Sequence, residues 1–241
     1  MHEPRFYRHW IKDSGLISFN VVVEQTDLYI RSRRNLKDKA LNSVLKHRGS
    51  LEAYIGCHPL FLTTLDAYQA EDEAPVIVKE MARVSQLTGV GPMAAVAGAI
   101  AEAVGRDLLA FSPEIIVENG GDIFLKISTK RLVGIYAGQS PFTKKIALEI
   151  MPRETPLGIG TSSGTVGHSL SLGNADAVIV LSSSAALADA AATALGNIVK
   201  AADDIPKVIE AAQSIEGVGG VVAIVGDKMS VWGKMKIVPL D

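Results

Sequence analysis

Residues 185–197 read Ala-Ala-Leu-Ala-Asp-Ala-Ala-Ala-Thr-Ala-Leu-Gly-Asn, a run whose composition leaves few conformations open. Alanine and leucine are strong helix formers, Ser182, Ser183 and Ser184 offer N-caps, and Gly196 offers a C-cap. The pattern predicts a helix over 185–197. Its polar groups before the Gly-Asn end are Asp189 and Thr193, four residues apart and therefore on one helical face. Carboxylate and hydroxyl then point two oxygens at one place. A packed alanine helix cannot keep an ionised carboxylate without a partner. Two readings follow. Either the pair grips a hard cation, or Asp189 caps or faces water while Thr193 returns its hydroxyl to the backbone.

A chain of 241 residues is long enough to bury a core of its own. Its 24 Lys and Arg against 26 Asp and Glu leave a formal charge of -2, without the basic excess that nucleic-acid binding requires. DNA and RNA are not expected partners. One cysteine, Cys57, excludes multi-cysteine metal patterns and is read as a small, partly buried hydrophobe. The first ten residues lack the pattern of a secretory signal, so the expected compartment is the cytoplasm. The longest candidate span, 93–104, is short and broken by Glu102, whereas a membrane helix needs about 20 apolar residues. No membrane partner is expected.

Residues 16–24 and 27–32 read as a β-hairpin, and 35–58 as a helical region interrupted near Gly49. Arg31, Arg33, Arg34, Lys37 and Lys39 cluster at the junction, as a solvated corner or a phosphate contact. Pro75 opens a helix over 76–88. Then Thr88-Gly-Val-Gly-Pro-Met leads into a small-residue helix over 94–104, a turn that a ligand can approach closely and a helix start where a phosphate could sit. Ordinary close packing through Ala94, Ala97, Gly98 and Ala101 is the alternative. Strands are predicted over 114–118 and 123–128, hinged at Asn119-Gly120-Gly121-Asp122, and again over 131–137 and 145–150. Residues 158–164 read as a flexible, hydroxyl-rich turn near His168. A strand over 177–181, a helix over 205–215 and two or three strands over 219–238 complete the chain. Strands in sequential runs point to an α+β fold, an antiparallel or mixed sheet covered by alanine-rich helices in one domain over 1–241.

Three segments between Gly89 and Asn197 resemble the ApbE-type FAD:protein FMN transferases. Asn119-Gly-Gly-Asp-Ile123 is similar to that family's Asn-x-Gly-Gly-Asp motif, Gly160-Thr-Ser-Ser-Gly164 to its Thr-Ser-Gly turn, and Ala188-Asp-Ala-Ala-Ala-Thr-Ala194 to its Ala-Asp-Ala-x-x-Thr-Ala helix. The whole chain, with Arg5-Phe-Tyr and His58-Pro59-x-Phe61, resembles a functionally uncharacterised branch of the ApbE superfamily. That resemblance implies an ApbE-like (T-fold-like) fold. It also implies Mg²⁺ on Asp189, Thr193 and the carbonyl of Ala94, hard oxygen ligands that suit this ion. FAD, FMN or another nucleotide would lie against Gly89, Gly91, Asn119, Gly120, Gly121, Asp122, Thr161, Ser162, Ser163 and Gly164. His168 or Asp122 would accept a proton.

The departures are equally specific. An acidic residue and a lysine of the transferases fall on Gly91 and Ala97, and His168-Ser-Leu-Ser-Leu-Gly lacks their His-x-x-Asp-Pro-x-Thr-Gly continuation. Three functions stay open. The first is an Mg²⁺-dependent transferase or hydrolase acting at a nucleotide pyrophosphate, such as a divergent FMN transferase or flavin pyrophosphatase. The second is a non-catalytic flavin or nucleotide-binding module. The third is an enzyme acting on a different small molecule, for which Gly91 and Ala97 leave room. Alanine-rich faces allow a homodimer without demanding one.

Overall fold

The computed structural model describes residues 15–164 and 172–240. His168 and the Arg5-Phe-Tyr segment lie outside the described residues.

Two hydrogen-bonded strands, β1 (Ile17–Val23) and β2 (Thr26–Ser32), open the chain and are followed by helices α1 (Lys37–Cys57), α2 (Pro59–Thr63), α3 (Val76–Thr88) and α4 (Val96–Leu108). A 3₁₀ turn at Pro92–Ala95 feeds α4. Next come β3 (Ile115–Asn119), β4 (Asp122–Lys126), β5 (Arg131–Gly134), β6 (Ile146–Ile150), β7 (Leu157–Ser162) and β8 (Ala177–Ser182). The chain ends in α5 (Ala185–Ile198), α6 (Ile205–Ser214), β9 (Val218–Val225), β10 (Lys228–Gly233) and β11 (Lys236–Pro239). The larger sheet runs β1-β2-β3-β4-β7-β8-β9-β10 and the smaller β11-β6-β5; every pairing is antiparallel.

Side chains alternate across a strand, and that alternation divides the core. Ile115, Val117 and Phe124 face the helices with Ala99, Val104 and Leu187, while Ile116 and Leu125 face the small sheet with Leu148 and Ile150. Val178 and Val180 likewise meet Ala188, Leu195 and Val208, whereas Ile179 and Leu181 join the small-sheet side. The central strands of the large sheet thus form a middle layer buried on both faces, while β1 and β10 at its edges stay partly exposed. That burial explains why β8 is apolar over residues 177–181 instead of alternating with polar residues.

Four expectations change in tertiary context. Helix α1 runs straight through Gly49, since an exposed glycine weakens a helix without breaking it. Residues 158–162 belong to strand β7, because their glycines serve close packing: a Cβ on Gly158 would lie 2.3 Å from Ala185 Cα, and one on Gly160 2.2 Å from the Ala188 carbonyl oxygen. Helix α5 continues past Gly196 to Ile198, and what closes over the Gly196 carbonyl is the backbone of Gly173. Cys57, expected to be partly buried, is exposed on the last residue of α1.

At the far end of β2 and β3, the basic cluster proves to be part structural. The fully buried Glu114 carboxylate accepts Arg33 Nε (2.5 Å), an Arg131 guanidinium N–H (3.1 Å) and the Ser128 N–H (3.0 Å). Burial alone would raise its pKa, but the Ser128 N–H, Arg131 and Arg33 together outweigh burial and hold it below the usual carboxylate range. A lowered carboxylate pKa contributes stability above its unfolded value of about 4.5, lost as pH falls through the native one. Glu114→Gln should therefore cost ~3–5 kcal/mol at pH 7. Denaturant unfolding at pH 7 and pH 3 should show that difference shrinking in acid.

Candidate functional site

Helices α4 and α5 pack against each other, and each supplies a carboxylate to the start of the other. A helix start leaves backbone N–H groups without intrahelical acceptors. At α5, Glu102 of α4 accepts the Ala185 N–H (2.6 Å), and the Ser184 hydroxyl caps the Leu187 N–H (3.2 Å). At α4, Asp189 of α5 accepts the Gly98 N–H at Oδ2 (2.9 Å) and also the Ala97 N–H. Gly98 is what permits the approach. A Cβ there would stand 2.2 Å from the Ala185 carbonyl oxygen and 2.9 Å from Asp189 Cβ.

This arrangement corrects one expectation. The start of α4 is not open to a phosphate, because the Ala97 and Gly98 N–H groups are committed to Asp189, the Val96 N–H to Met93 and the Ala94 N–H to Gly91. In a regular helix the Gly98 N–H would belong to the Ala94 carbonyl, four residues back. The Gly98 bond to Asp189 instead ties this carboxylate to the start of α4.

Asp189 is buried and, among the described residues, makes no ion pair with lysine, arginine or histidine. Burial pushes its pKa up to about 7, against the lowering effect of the Gly98 and Ala97 N–H groups. Two N–H donors leave carboxylate lone pairs unused. A carboxylate this costly to ionise, with oxygen ligand capacity to spare, fits a hard divalent cation. Thr193, half-buried, follows one turn later on the same helix. Among the described residues no cluster of three or more His, Cys, Asp or Glu forms a conventional metal site, so any ion here would be held by mixed oxygen ligands.

The β3–β4 turn joins the same place. Asn119 Nδ2 donates to the Ala97 carbonyl (3.1 Å), tying the end of β3 to the start of α4. Gly120 and Gly121, with φ of 68° and 108°, form the two-residue turn, for which glycine is the permissive residue. Asp122, directly opposite Asn119 in register, accepts the Thr161 N–H at Oδ1 (3.0 Å), and a Cβ on Gly121 would be 3.9 Å from that of Thr161. Asp189, Ala97, Gly98, Asn119, Asp122 and Thr161 form one connected constellation. Ser162 is buried in β7, while Ser163 and Gly164 lie beyond it, where the Gly164 N–H bonds the Ala175 carbonyl (2.9 Å).

Gly89 and Gly91 are explained otherwise. Gly89 ends α3 with φ 71°, and Gly91 presses on the chain after α2, where a Cβ would sit 2.0 Å from the Thr64 carbonyl oxygen. The small residue at 91 leaves no room for a ligand: the protein's own backbone fills it. Glu118 escaped the sequence reading. It is buried, and its Oε1 takes the Gly121 N–H (2.8 Å), holding the glycine turn. Counting back two residues from Gly120 reaches Glu118, the place where an Asn-x-Gly-Gly-Asp pattern puts its Asn.

This three-layer α+β fold is that of the ApbE flavin transferases. The flavinyl transferase ApbE of Pseudomonas stutzeri superposes with a TM-score of 0.62 at 12% identity, covering 91% of this chain and 94% of that one. The apbe protein of Thermotoga maritima gives 0.62 at 11%, covering 89% and 96%. Residues 8–230 match the family model described as AbpE bacteria, and the chain belongs to that family. Its relatives include a UPF0280 protein of Methanocella arvoryzae, 46% identical over 81% of this chain and 80% of the relative. A UPF0280 protein of Methanocaldococcus jannaschii is 40% identical over 89% and 90%.

Proposed function

We propose that the chain binds FAD or a related nucleotide through its pyrophosphate, with Mg²⁺ held by Asp189, Thr193 and the Ala94 carbonyl. The observation that carries this reading is the buried Asp189 carboxylate, which has two backbone donors and no cation pair among the described residues. The fold shared with flavin transferases and the family assignment support it. When bound, Mg²⁺ would neutralise the pyrophosphate and stabilise charge developing on its oxygens. The protein's own part is orientation. Asn119 fixes the start of α4, Glu118 holds the glycine turn against the ligand, and Asp122 locks β4 to β7. With the α4 N–H groups committed to Asp189, the nucleotide's phosphates would reach this helix only across the metal. Turnover would be transfer of FMN or cleavage of the pyrophosphate, with Asp122 or His168 accepting the nucleophile's proton.

A second reading, binding without turnover, is favoured by one finding. The place of an acidic residue at 91 is filled by the Thr64 backbone, so that contact has no side chain to restore it. Calorimetric titration of FAD into metal-stripped protein tests both. Binding should require Mg²⁺ and weaken on the order of 100-fold in Asp189→Ala. FMN released over hours would mark an enzyme, and intact FAD a binding module. Equal affinity with and without Mg²⁺ would remove the metal reading.

A further inference from the structure

The segment between α2 and α3 lies across the glycine turn that leads into the site, and one buried side chain ties the two together. Ser85 of α3 is fully buried. Its hydroxyl donates to the Val90 carbonyl and accepts the Tyr68 N–H (3.1 Å), while its own carbonyl accepts the Gly89 N–H (2.8 Å). On the opposite side, Gly91 is pressed against the Thr64 carbonyl. The segment is itself anchored: Glu71 accepts the Tyr54 hydroxyl (2.5 Å), Lys79 Nζ donates to the Asp72 carbonyl (3.1 Å), and Tyr68 packs edge-on against Phe61. Residues 89–91 are therefore clamped between α3 and residues 64–71. From there the Gly91 carbonyl accepts the Ala94 N–H (3.1 Å), and one turn later the chain delivers Ala97 and Gly98 to Asp189.

We propose that Ser85 is a positioning residue for the ligand site: through Val90 and Gly91 it sets the direction in which the chain enters α4, and hence where the Ala94 carbonyl and the Ala97 and Gly98 N–H groups stand relative to Asp189. Its effect on a nucleotide rests on the proposed function; its effect on the α4 start does not. A buried hydroxyl bonded to two backbone groups from two separate segments is more than a helix needs at that position, and among the described residues Ser85 is the side chain that hydrogen-bonds both the turn and the segment covering it.

Amide hydrogen exchange on the full chain tests this directly, with Ser43→Ala as the control. Ser43 is also buried and donates one hydroxyl bond, to Asp107 Oδ2 (2.8 Å) in the last turn of α4. In Ser85→Ala, the amides of residue 91 and residues 93–98 should exchange about tenfold faster than in wild type, and Mg²⁺-dependent FAD affinity should fall about tenfold. Ser43→Ala should change neither. Ser85→Thr, which keeps the hydroxyl, should retain wild-type behaviour. Gly91→Ala disturbs the same clamp from the other side and should loosen the same amides, so the test survives if Ser85→Ala does not fold. These amides exchanging alike in Ser85→Ala and Ser43→Ala, or staying unchanged in Gly91→Ala, would overturn the proposal. Wild-type protein that binds no FAD would sink the functional reading and leave the exchange result to decide on Ser85.

Discussion

Asp189→Asn is expected to make the metal-free protein more stable above neutral pH and, in the same tube, to abolish its response to Mg²⁺. The native carboxylate titrates near 7 against 3.8 for an unperturbed aspartate, so the folded state holds the proton more tightly than the unfolded chain does. A raised native pKa contributes stability that is complete below the unfolded value and is lost as pH rises through the native one. For this group the window runs from about pH 4 to about pH 7, at ~1.4 kcal/mol per pH unit. Asparagine carries no charge to desolvate and keeps an oxygen for the Gly98 N–H. The variant should gain a few kcal/mol at pH 8, less the ~1 kcal/mol that a lost Ala97 N–H bond would cost.

Urea unfolding in EDTA from pH 4 to pH 8.5 would show wild type declining where the variant is flatter. Added Mg²⁺ should then raise wild-type stability by mass action and leave the variant unmoved. A variant less stable than wild type at pH 8 without metal would mean that the carboxylate is satisfied by its backbone donors alone. The cation argument would fall with that result.

Gly98→Ala should be strongly destabilising although alanine is the better helix former. Helix propensity favours alanine over glycine by about 1 kcal/mol. Against that, the new Cβ would stand 2.2 Å from the Ala185 carbonyl oxygen, a backbone atom that cannot swing aside. Helices α4 and α5 must separate, stretching both the Gly98 N–H bond to Asp189 and the Ala185 N–H bond to Glu102. Overpacking of this kind costs ~1–3 kcal/mol, before the two charge-assisted hydrogen bonds are counted. Gly49→Ala is the internal comparison. It lies in a helix with nothing within 4 Å of the new Cβ, so only propensity operates and stability should rise by about 0.5–1 kcal/mol. Thermal unfolding of the two variants should move in opposite directions; equal shifts would show that the α4–α5 contact has slack.

Part of the site could be read from the residues because it is local. Asp189 and Thr193 share a helical face by periodicity, and Asn-Gly-Gly-Asp makes its own turn by backbone chemistry, so both survive in the structure unchanged. What could not be read is which surface those groups meet. Glycine illustrates the limit. The same residue type signals a flexible turn or a close approach, and in 158–164 the flanking hydroxyl residues favoured the first while Ala185 and Ala188 packing against β7 demanded the second. Glu118 is hidden for a similar reason, since a glutamate at a strand end carries no local mark of the Gly121 N–H that its carboxylate accepts.

By itself, then, the amino-acid sequence determined most of the element types, the α+β class, the family and the helical face that Asp189 and Thr193 share, because propensity, periodicity and turn chemistry act over a few neighbouring residues. Only the tertiary structure decided that Asp189 would be buried and would cap α4, that this helix start is closed to a phosphate, and that Gly91 is filled by the Thr64 backbone. Each of those depends on an approach between segments dozens of residues apart, and a close approach is made by backbone atoms that every residue shares and no sequence pattern distinguishes.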